Sequence, residues 1–209
     1  QTQEEIDSYI SPATGKPIQP NAAPGDTKFE DLNGDGVISD DNEDRTMIGK
    51  PNPDWMVGLT VAADWNGFDL SAFFQGSFGA DVFDALRRYE LAAVNYTSDA
   101  LERWTGPGTS NSMPRIVLGD TPKNFRPSTL LVHDASFLRL RNLQVGYTLP
   151  AQLTRKAYIQ RLRFYASFDN LLTITGYKGM DPEIGSTMGI DKGVYPQARV
   201  YTFGLNLTF

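Results

Sequence analysis

The sequence has 209 residues, of which 40% are hydrophobic, with 19 glycines, 13 prolines and a formal net charge of -6. It contains no cysteine, which excludes disulfide bonds, zinc–thiolate sites and cysteine nucleophiles. The acidic balance and the lack of a basic stripe argue against nucleic acid as a partner. No run of about 18 apolar residues is present to form a transmembrane helix.

Residues 1–53 are rich in turn formers, because prolines and glycines recur at short intervals before an acidic, glycine-punctuated stretch. This composition predicts one long loop with little regular structure. The opening QTQEEID has neither an initiating methionine nor a signal peptide. We therefore expect the chain to be a piece of a longer protein that begins within this loop.

The most specific local motif is DLNGDGVIS, at residues 31–39. Asp31, Asn33 and Asp35 occupy positions 1, 3 and 5 of a calcium-binding loop, and Gly36 stands at its sharp turn. The carbonyl of Val37 would be the ligand at position 7. Alternate oxygens of a tight turn point inward at a hard cation, so this spacing predicts a structural Ca²⁺ site.

The calcium motif departs from the standard pattern at position 12, where Asn42 replaces the bidentate glutamate. Asp41, Glu43 and Asp44 surround this position, and a closing carboxylate would come from among them. An acidic loop of Asx turns that holds no metal is the alternative interpretation. No helices are predicted on either side, so a bound ion would brace a surface loop rather than drive an EF-hand switch.

Residues 54–76 alternate between apolar and polar side chains on both sides of Asn66-Gly67. A period of two predicts strands, and Asn-Gly is a strong signal for a two-residue hairpin turn. We therefore predict a β-hairpin of two long strands over 54–76.

Residues 77–133 lose this alternation, and 81–104 are predicted to be helical in two pieces, followed by a loop rich in glycine and proline. The carboxylates of the predicted helices are interpreted as a solvated face rather than as a glycosidase acid pair. His133 is the only histidine, and a structural or solvated role is expected for it. The sequence thus predicts no enzyme.

Three further strands are predicted after residue 133. The first covers 135–150, and its alternation changes phase near Asn142, which indicates a β-bulge. The second covers 161–170, and the third is the final run VYTFGLNLTF, separated from the second by a loop at 171–199. The final strand is expected to pair with 161–170 on one side and with a strand absent from this chain on the other.

Short and long connections alternate along the chain, since the turns at 66–67 and 150–160 are short while 1–53, 77–133 and 171–199 are long. Outer-membrane barrels have short periplasmic turns and long outer loops. Five strands cannot close such a barrel, and open edges in lipid would leave backbone groups unpaired. The prediction is an all-β fold: antiparallel strands forming one sector of a large transmembrane β-barrel.

Within such a barrel, one face of each strand meets lipid and the other meets the lumen. Arg139 and Arg141 are expected to face the lumen or a plug, because a charge on the lipid face near midplane costs about 2–4 kcal/mol. Aromatic residues near predicted strand ends suit the interfacial girdle: Trp55, Tyr147, Phe164, Tyr201 and Phe209. Those of the outer loops either pack in loop cores or contact a solute or a lid protein: Tyr89, Tyr96, Trp104, Tyr177 and Tyr195.

Several longer segments, in this order, resemble the closing third of SusC-like TonB-dependent outer-membrane transporters of the Bacteroidota. The segments that carry the resemblance are AAPGDTKFEDLNGDG, RTMIGKPNPDW, LERWTGPGTSN, DASFLRLRNLQVGYTLP, LRFYASFDNLLTITGYKGMDPE and YPQARVYTFGLNLTF. The resemblance implies a barrel of about 22 strands with a plugged lumen, with long extracellular loops at 1–53, 77–133 (which contains short helices) and 171–199. The plug domain and the preceding strands would lie outside this chain. SusC-like proteins usually have an aspartate immediately before the arginine of DRT, which is Asp44 here. The resemblance therefore implies Asp44 as the carboxylate that closes the calcium loop, with Asp41 as the second choice.

The resemblance also implies a cellular role, namely active import of oligosaccharides or peptides across the outer membrane. The implied partners are the rest of the transporter, a SusD-like surface lipoprotein as lid, and TonB-ExbB-ExbD acting through the absent N-terminal part. A dimer of SusC–SusD pairs in contact with lipid and lipopolysaccharide is also implied. A soluble all-β carbohydrate-binding module with a structural calcium is the alternative function, and the transported substrate stays open between glycan and peptide.

Overall fold

The computed structural model describes residues 1–40, 43–86, 89, 91, 93–183 and 188–209. The chain divides into two compact units. Unit 1 consists of Gln1–Gly49 and Asp84–Val132, and unit 2 of Lys50–Phe83 and His133–Phe209. Among the described residues, every helix is too short or too polar to span a bilayer.

Strands account for most of the regular structure. In chain order they are β1 (Trp55–Trp65), β2 (Phe68–Phe78), β3 (Asp81–Asp84), β4 (Val132–Asp134), β5 (Phe137–Thr148), β6 (Arg161–Thr175), β7 (Ile190–Asp191) and β8 (Val200–Thr208). The α-helices are α1 (Gln3–Asp7) and α2 (Ala151–Thr154), and 3-10 helices cover Ser98–Glu102, Thr129–Leu131 and Arg155–Ala157. The predicted all-β fold class is confirmed.

The main sheet of unit 2 is antiparallel, with the strand order β1-β2-β5-β6-β8. The hairpin of β1 and β2 turns at Asn66 and Gly67, whose φ angles of 48° and 87° are the positive values that a type I′ turn needs. The final strand β8 pairs with β6 from Arg161↔Thr208 to Asp169↔Val200, as the sequence predicts.

A bulge interrupts β5 at the position where the alternation changes phase. The register to β2 jumps from Phe73↔Asn142 to Phe74↔Leu140, which leaves Arg141 as the extra residue. The register to β6 shifts at the same place, next to Asn170, whose φ is 53°. The predicted bulge is confirmed. Strand β6 continues beyond the bulge to Thr175 rather than ending at 170. Its pairing with β5 resumes at Leu140↔Leu172, and Leu172 and Ile174 again alternate with Thr173 and Thr175.

The main sheet has one apolar face and one polar face. The apolar face carries aligned rows such as Ala72, Leu143, Phe168 and Tyr201. Many of its side chains are exposed, including Phe203 at 76% and Leu205 at 59%. The opposite face carries Ser71, Gln144, Ser167 and Thr202 in the corresponding positions. Period-two alternation therefore places most of the apolar side chains on one face, although Phe73 and Tyr165 lie on the polar face.

A second, three-stranded sheet has the order β4-β3-β7. Its strand β3 corrects the helical prediction at 81–104, because residues 81–84 are extended. The Asp81 amide donates to the Lys50 carbonyl at 2.7 Å and the Phe83 amide to the Gly189 carbonyl at 2.8 Å. These distant partners and the burial of Val82 favour a strand over the local helical periodicity.

Unit 1 is mostly loop, but it has a core and a capped helix. Tyr89, Ala100, Met113 and Phe125 form its buried cluster. The prediction of little regular structure in 1–53 missed α1, which starts with a capping box between Thr2 and Glu5. Of the helices predicted over 81–104, the described residues retain the 3-10 helix at Ser98–Glu102.

Candidate functional site

The predicted calcium loop of unit 1 folds as a series of tight turns around its acidic side chains. The carboxylate of Asp31 accepts hydrogen bonds from the amides of Gly34 at 2.7 Å and Gly36 at 2.8 Å. Asp35 accepts from the Val37 amide at 2.8 Å. Both glycines have positive φ, 79° and 88°, which a residue with a side chain adopts only with strain. Glycine at these two positions therefore shapes the loop.

Asp44 returns to the start of this loop, as a closing residue must. Its carboxylate accepts from the amides of Ser39 at 2.7 Å and Leu32 at 3.1 Å. The Ser39 amide is the largest influence lowering the pKa of Asp44, slight burial opposes it, and the pKa lies below its ordinary value. Asp41, the second choice for closure, lies outside the described residues.

The donor set of the loop consists of carboxylate, amide and carbonyl oxygens, the ligands that Ca²⁺ prefers. The Asn33 amide donates to the carboxylates of Asp35 at 3.2 Å and Glu43 at 3.3 Å, so acidic oxygens gather around it. Among the described residues, no three acidic or histidine side chains converge into a group able to hold a metal ion. The chemistry of the donors fits calcium, while ligation requires the carboxylates to approach each other further.

A second polar centre of unit 1 escaped the sequence analysis. The carboxylate of Asp26 accepts two hydrogen bonds from Arg115, at 2.5 and 3.0 Å, and one from the Asn124 amide at 3.0 Å. Burial raises the pKa of Asp26, but the Arg115 guanidinium and the Ala23 and Asn124 donors outweigh burial and leave it below its ordinary value. Asp26 and Arg115 are 89 residues apart in the sequence, so no local sequence pattern predicts that they pair.

On the polar face of unit 2, an arginine cluster ties strand β5 to the loop after β6. Arg139 is 1% exposed, and its guanidinium donates to Thr173 at 2.9 Å, Glu183 at 2.8 Å and Asp181 at 2.5 Å. Arg141, in the bulge, donates to the other oxygen of Glu183 at 2.6 Å. The two arginines share a face, as predicted, and their charges are balanced by two loop carboxylates.

The sequence analysis did not single out Asp181 and Glu183, although both lie in the quoted segment ending in GMDPE. Burial raises the pKa of Asp181, but the amides of Gln197 and Glu183 and the Arg139 guanidinium outweigh burial, so that it lies below its ordinary value. The sequence did contain a signal for acidic partners, namely Arg139 and Arg141, which lie two residues apart on one strand. Arginines that become buried require anionic partners.

The remaining candidate residues separate into buried and exposed groups. Tyr89 and Tyr177 are buried, and the Tyr177 hydroxyl donates to Asp191 at 2.7 Å. Tyr96 and Tyr195 are exposed, the latter at 86%. His133 lies in β4 with its ring centroid 6.2 Å from that of Tyr177, consistent with the structural role expected of it.

The similar proteins of known name are bacterial receptors. A TonB-dependent receptor of Formosa agariphila is 36% identical over 197 residues, which cover 89% of this chain and 19% of the relative. The TonB-dependent receptor SusC of Bacteroides thetaiotaomicron is 31% identical over 191 residues, which cover 90% of this chain and 18% of SusC. The chain is a homologue of SusC-like TonB-dependent receptors.

Solved structures agree with this relationship to the SusC-like receptors. A chain of the RagAB peptide importer in its closed-closed state matches with a TM-score of 0.66 at 32% identity, covering 82% of this chain and 19% of that chain. The open-open state of RagAB gives a TM-score of 0.62. No protein-family model matches the sequence. The SusC homologue described here spans about a fifth of the length of the relatives that it matches.

Proposed function

We propose that this chain is a sector of the barrel of an outer-membrane transporter that actively imports nutrients. The observation that carries the proposal is its 30–36% identity to TonB-dependent receptors over most of its length. The two-faced sheet supports it, because a strand of a membrane barrel turns alternate side chains to lipid and to a polar interior. The apolar face would meet lipid, and the polar face with its arginine cluster would line the interior.

The complete transporter would contain further strands, a plug domain and the site that receives energy from TonB-ExbB-ExbD. A SusD-like surface lipoprotein would close over the loops, and pairs of the two proteins would form a dimer surrounded by lipid and lipopolysaccharide. The solute is a peptide or an oligosaccharide. The similar RagAB system is a peptide importer, which favours the first class.

The loop at 31–44 is proposed to hold a structural Ca²⁺ ion. Its ligands would be the oxygens of Asp31, Asn33, Asp35 and Asp44 together with the carbonyl of Val37, with Asp41 as the alternative closing residue. When bound, the ion would supply charge neutralisation for the acidic side chains and would brace the loop. The all-oxygen donor set and the return of Asp44 to the loop support this assignment.

Two substitutions in β8, three residues apart and on opposite faces of the strand, test the membrane placement. In the complete transporter, Leu205→Arg on the apolar face would cost about 2–4 kcal/mol in lipid and should greatly reduce the amount of folded protein in the outer membrane. Thr202→Arg on the polar face is the matched control and should assemble normally. Equal assembly of the two variants in the outer membrane would contradict the proposal.

Uptake by cells tests the transport role directly. A strain lacking the complete gene should lose energy-dependent uptake of either fluorescent short peptides or fluorescent oligosaccharides, and the restored gene should recover it. Uptake of one class alone would identify the substrate class. Unchanged uptake of both classes in the deletion strain would count against import of either.

A further inference from the structure

Unit 2 contains a cavity of about 410 Å³ between the end of β6 and the segment that leads into β8. Its lining includes the polar residues Arg139, Asn170, Thr173, Asp181, Gln197 and Arg199. A space of this size accommodates a small polar group together with part of the molecule that carries it. The group that these side chains can bind depends on which of them are not already paired with one another.

Two of the lining charges are already neutralised. The Arg139 guanidinium contacts Asp181 at 2.5 Å and Glu183 at 2.8 Å. Glu183 is also paired with Arg141 at 2.6 Å. The two carboxylates therefore neutralise the two arginines. Of these four residues Arg139 and Asp181 line the cavity, and because they are already paired they are part of its wall rather than its free binding groups.

The second lining arginine, Arg199, has no such partner among the described residues. No described residue forms a hydrogen bond or ion pair with the Arg199 guanidinium. Asp169, a nearby acid on β6, accepts the Asn142 amide at 2.7 Å and is outside the lining of the cavity. Arg199 thus brings to the cavity a positive charge that is unpaired within the described part of the chain, together with a planar set of N–H donors.

Two further lining residues retain donors. Gln197 uses its backbone amide to bind Asp181 at 2.9 Å, while its side-chain amide has no partner among the described residues. The Thr173 hydroxyl accepts from Arg139 at 2.9 Å and keeps its own proton to donate. Free donors therefore exceed free acceptors, so the complementary ligand is an acceptor with negative charge.

We propose that this cavity binds a carboxylate group of the transported solute, with Arg199 as its ion-pair partner and with Gln197 and Thr173 as additional donors. A guanidinium matches a carboxylate in bidentate geometry. The carboxylate comes either from the C-terminus of a peptide or from a uronic acid of an oligosaccharide. The inference rests on the proposed import function and specifies the substrate class of that function.

Binding of four probes to the complete purified transporter tests the inference by calorimetry. The probes are a short alanine peptide with a free C-terminus, the same peptide amidated at its C-terminus, an oligogalacturonate and a neutral oligosaccharide of equal length. We expect one of the acidic probes to bind at least about tenfold more tightly than its neutral counterpart, the usual weight of a charged hydrogen bond. Which acid binds distinguishes the peptide source from the sugar source.

The variant Arg199→Gln should remove this preference and leave the affinity for the neutral probe unchanged. Lys192→Gln is the matched control, since it removes one exposed positive charge from the same loop at a residue outside the lining. The inference is overturned if wild type binds acidic and neutral probes alike, if it binds none of the four, or if Arg199→Gln keeps the preference. Uptake by cells, measured separately, reports on the import function itself. A failure of the carboxylate-binding inference can therefore be distinguished from a failure of the proposed import function.

Discussion

Arg163 on β6 forms a two-bond ion pair with Asp69 on β2, although strand β5 lies between them. The Arg163 Nε donates to Asp69 Oδ1 at 2.8 Å, and its terminal nitrogen donates to Oδ2. The residue of β5 between them is Gly146, which pairs with Asp69 on one side and Tyr165 on the other. The absence of a side chain at Gly146 lets the ion pair cross the middle strand.

A methyl group at 146 should therefore disrupt this bridge. An added Cβ would lie 2.5 Å from Asp69 Oδ1, closer than packing permits. Gly146→Ala in the complete transporter should lower the free energy of unfolding by about 1–3 kcal/mol, measured by urea titration of the folded barrel. Gly58→Ala is the control, because its added Cβ would meet the Phe73 ring at an ordinary 3.6 Å. Equal stability of the two variants would contradict the steric argument.

Removal of Arg139 should release the loop that follows β6. Arg139→Gln leaves Asp181 without its buried cation and Glu183 with Arg141 as its cation, and breaking a buried pair on one side costs about 3–5 kcal/mol. We expect faster cleavage by a protease within residues 176–183. Arg161→Gln, at the exposed start of β6, should cleave like wild type. Cleavage of Arg139→Gln at the wild-type rate would show that the cluster does not hold the loop.

Acid should weaken unit 1 through Asp26. The pKa of Asp26 is lowered on folding, so its stabilising effect is complete above the ordinary aspartate pKa of about 3.9 and is lost as the pH falls through the lower, folded value. Protease sensitivity of residues 22–28 should rise below about pH 4 in wild type. Asp26→Asn should already be sensitive at neutral pH, with a smaller change on acidification.

The exposed acid Glu4 provides the control for that measurement. Glu4→Gln removes one negative charge from unit 1 without touching the Arg115 pair. Its profile should follow wild type at every pH. An Asp26→Asn variant with an unchanged profile would show that another carboxylate governs the acid response.

Calcium should protect the loop at 31–44. If the ion binds, adding Ca²⁺ should slow cleavage within residues 26–50 and a chelator should restore it, because ligation draws the carboxylates together. The double variant Asp31→Asn with Asp35→Asn should lose the calcium effect, while Asp7→Asn, an exposed acid in α1, should retain it. Cleavage that is insensitive to calcium in wild type would contradict the proposed site.

The sequence by itself determined the secondary structure of the main sheet. Period-two alternation located β1, β2, β5, β6 and β8, Asn66-Gly67 located the hairpin turn, and a phase change at Asn142 located the bulge. These features are local, because the pleat of a strand and the φ preferences of a turn act on neighbouring residues. The same alternation separated an apolar face from a polar one before any partner strand was known.

Only the tertiary structure decided which distant groups meet. Val82 belongs to a strand rather than a helix because Lys50 and Gly189 supply backbone partners for its neighbours. Arg139 finds Asp181, and Asp26 finds Arg115, across 42 and 89 residues. The sequence does not show which acidic residue will pair with a given arginine, because that pairing depends on burial and on the topology of the chain. The sequence could therefore indicate that the arginines need acidic partners, but only the tertiary structure showed which acidic residues these are.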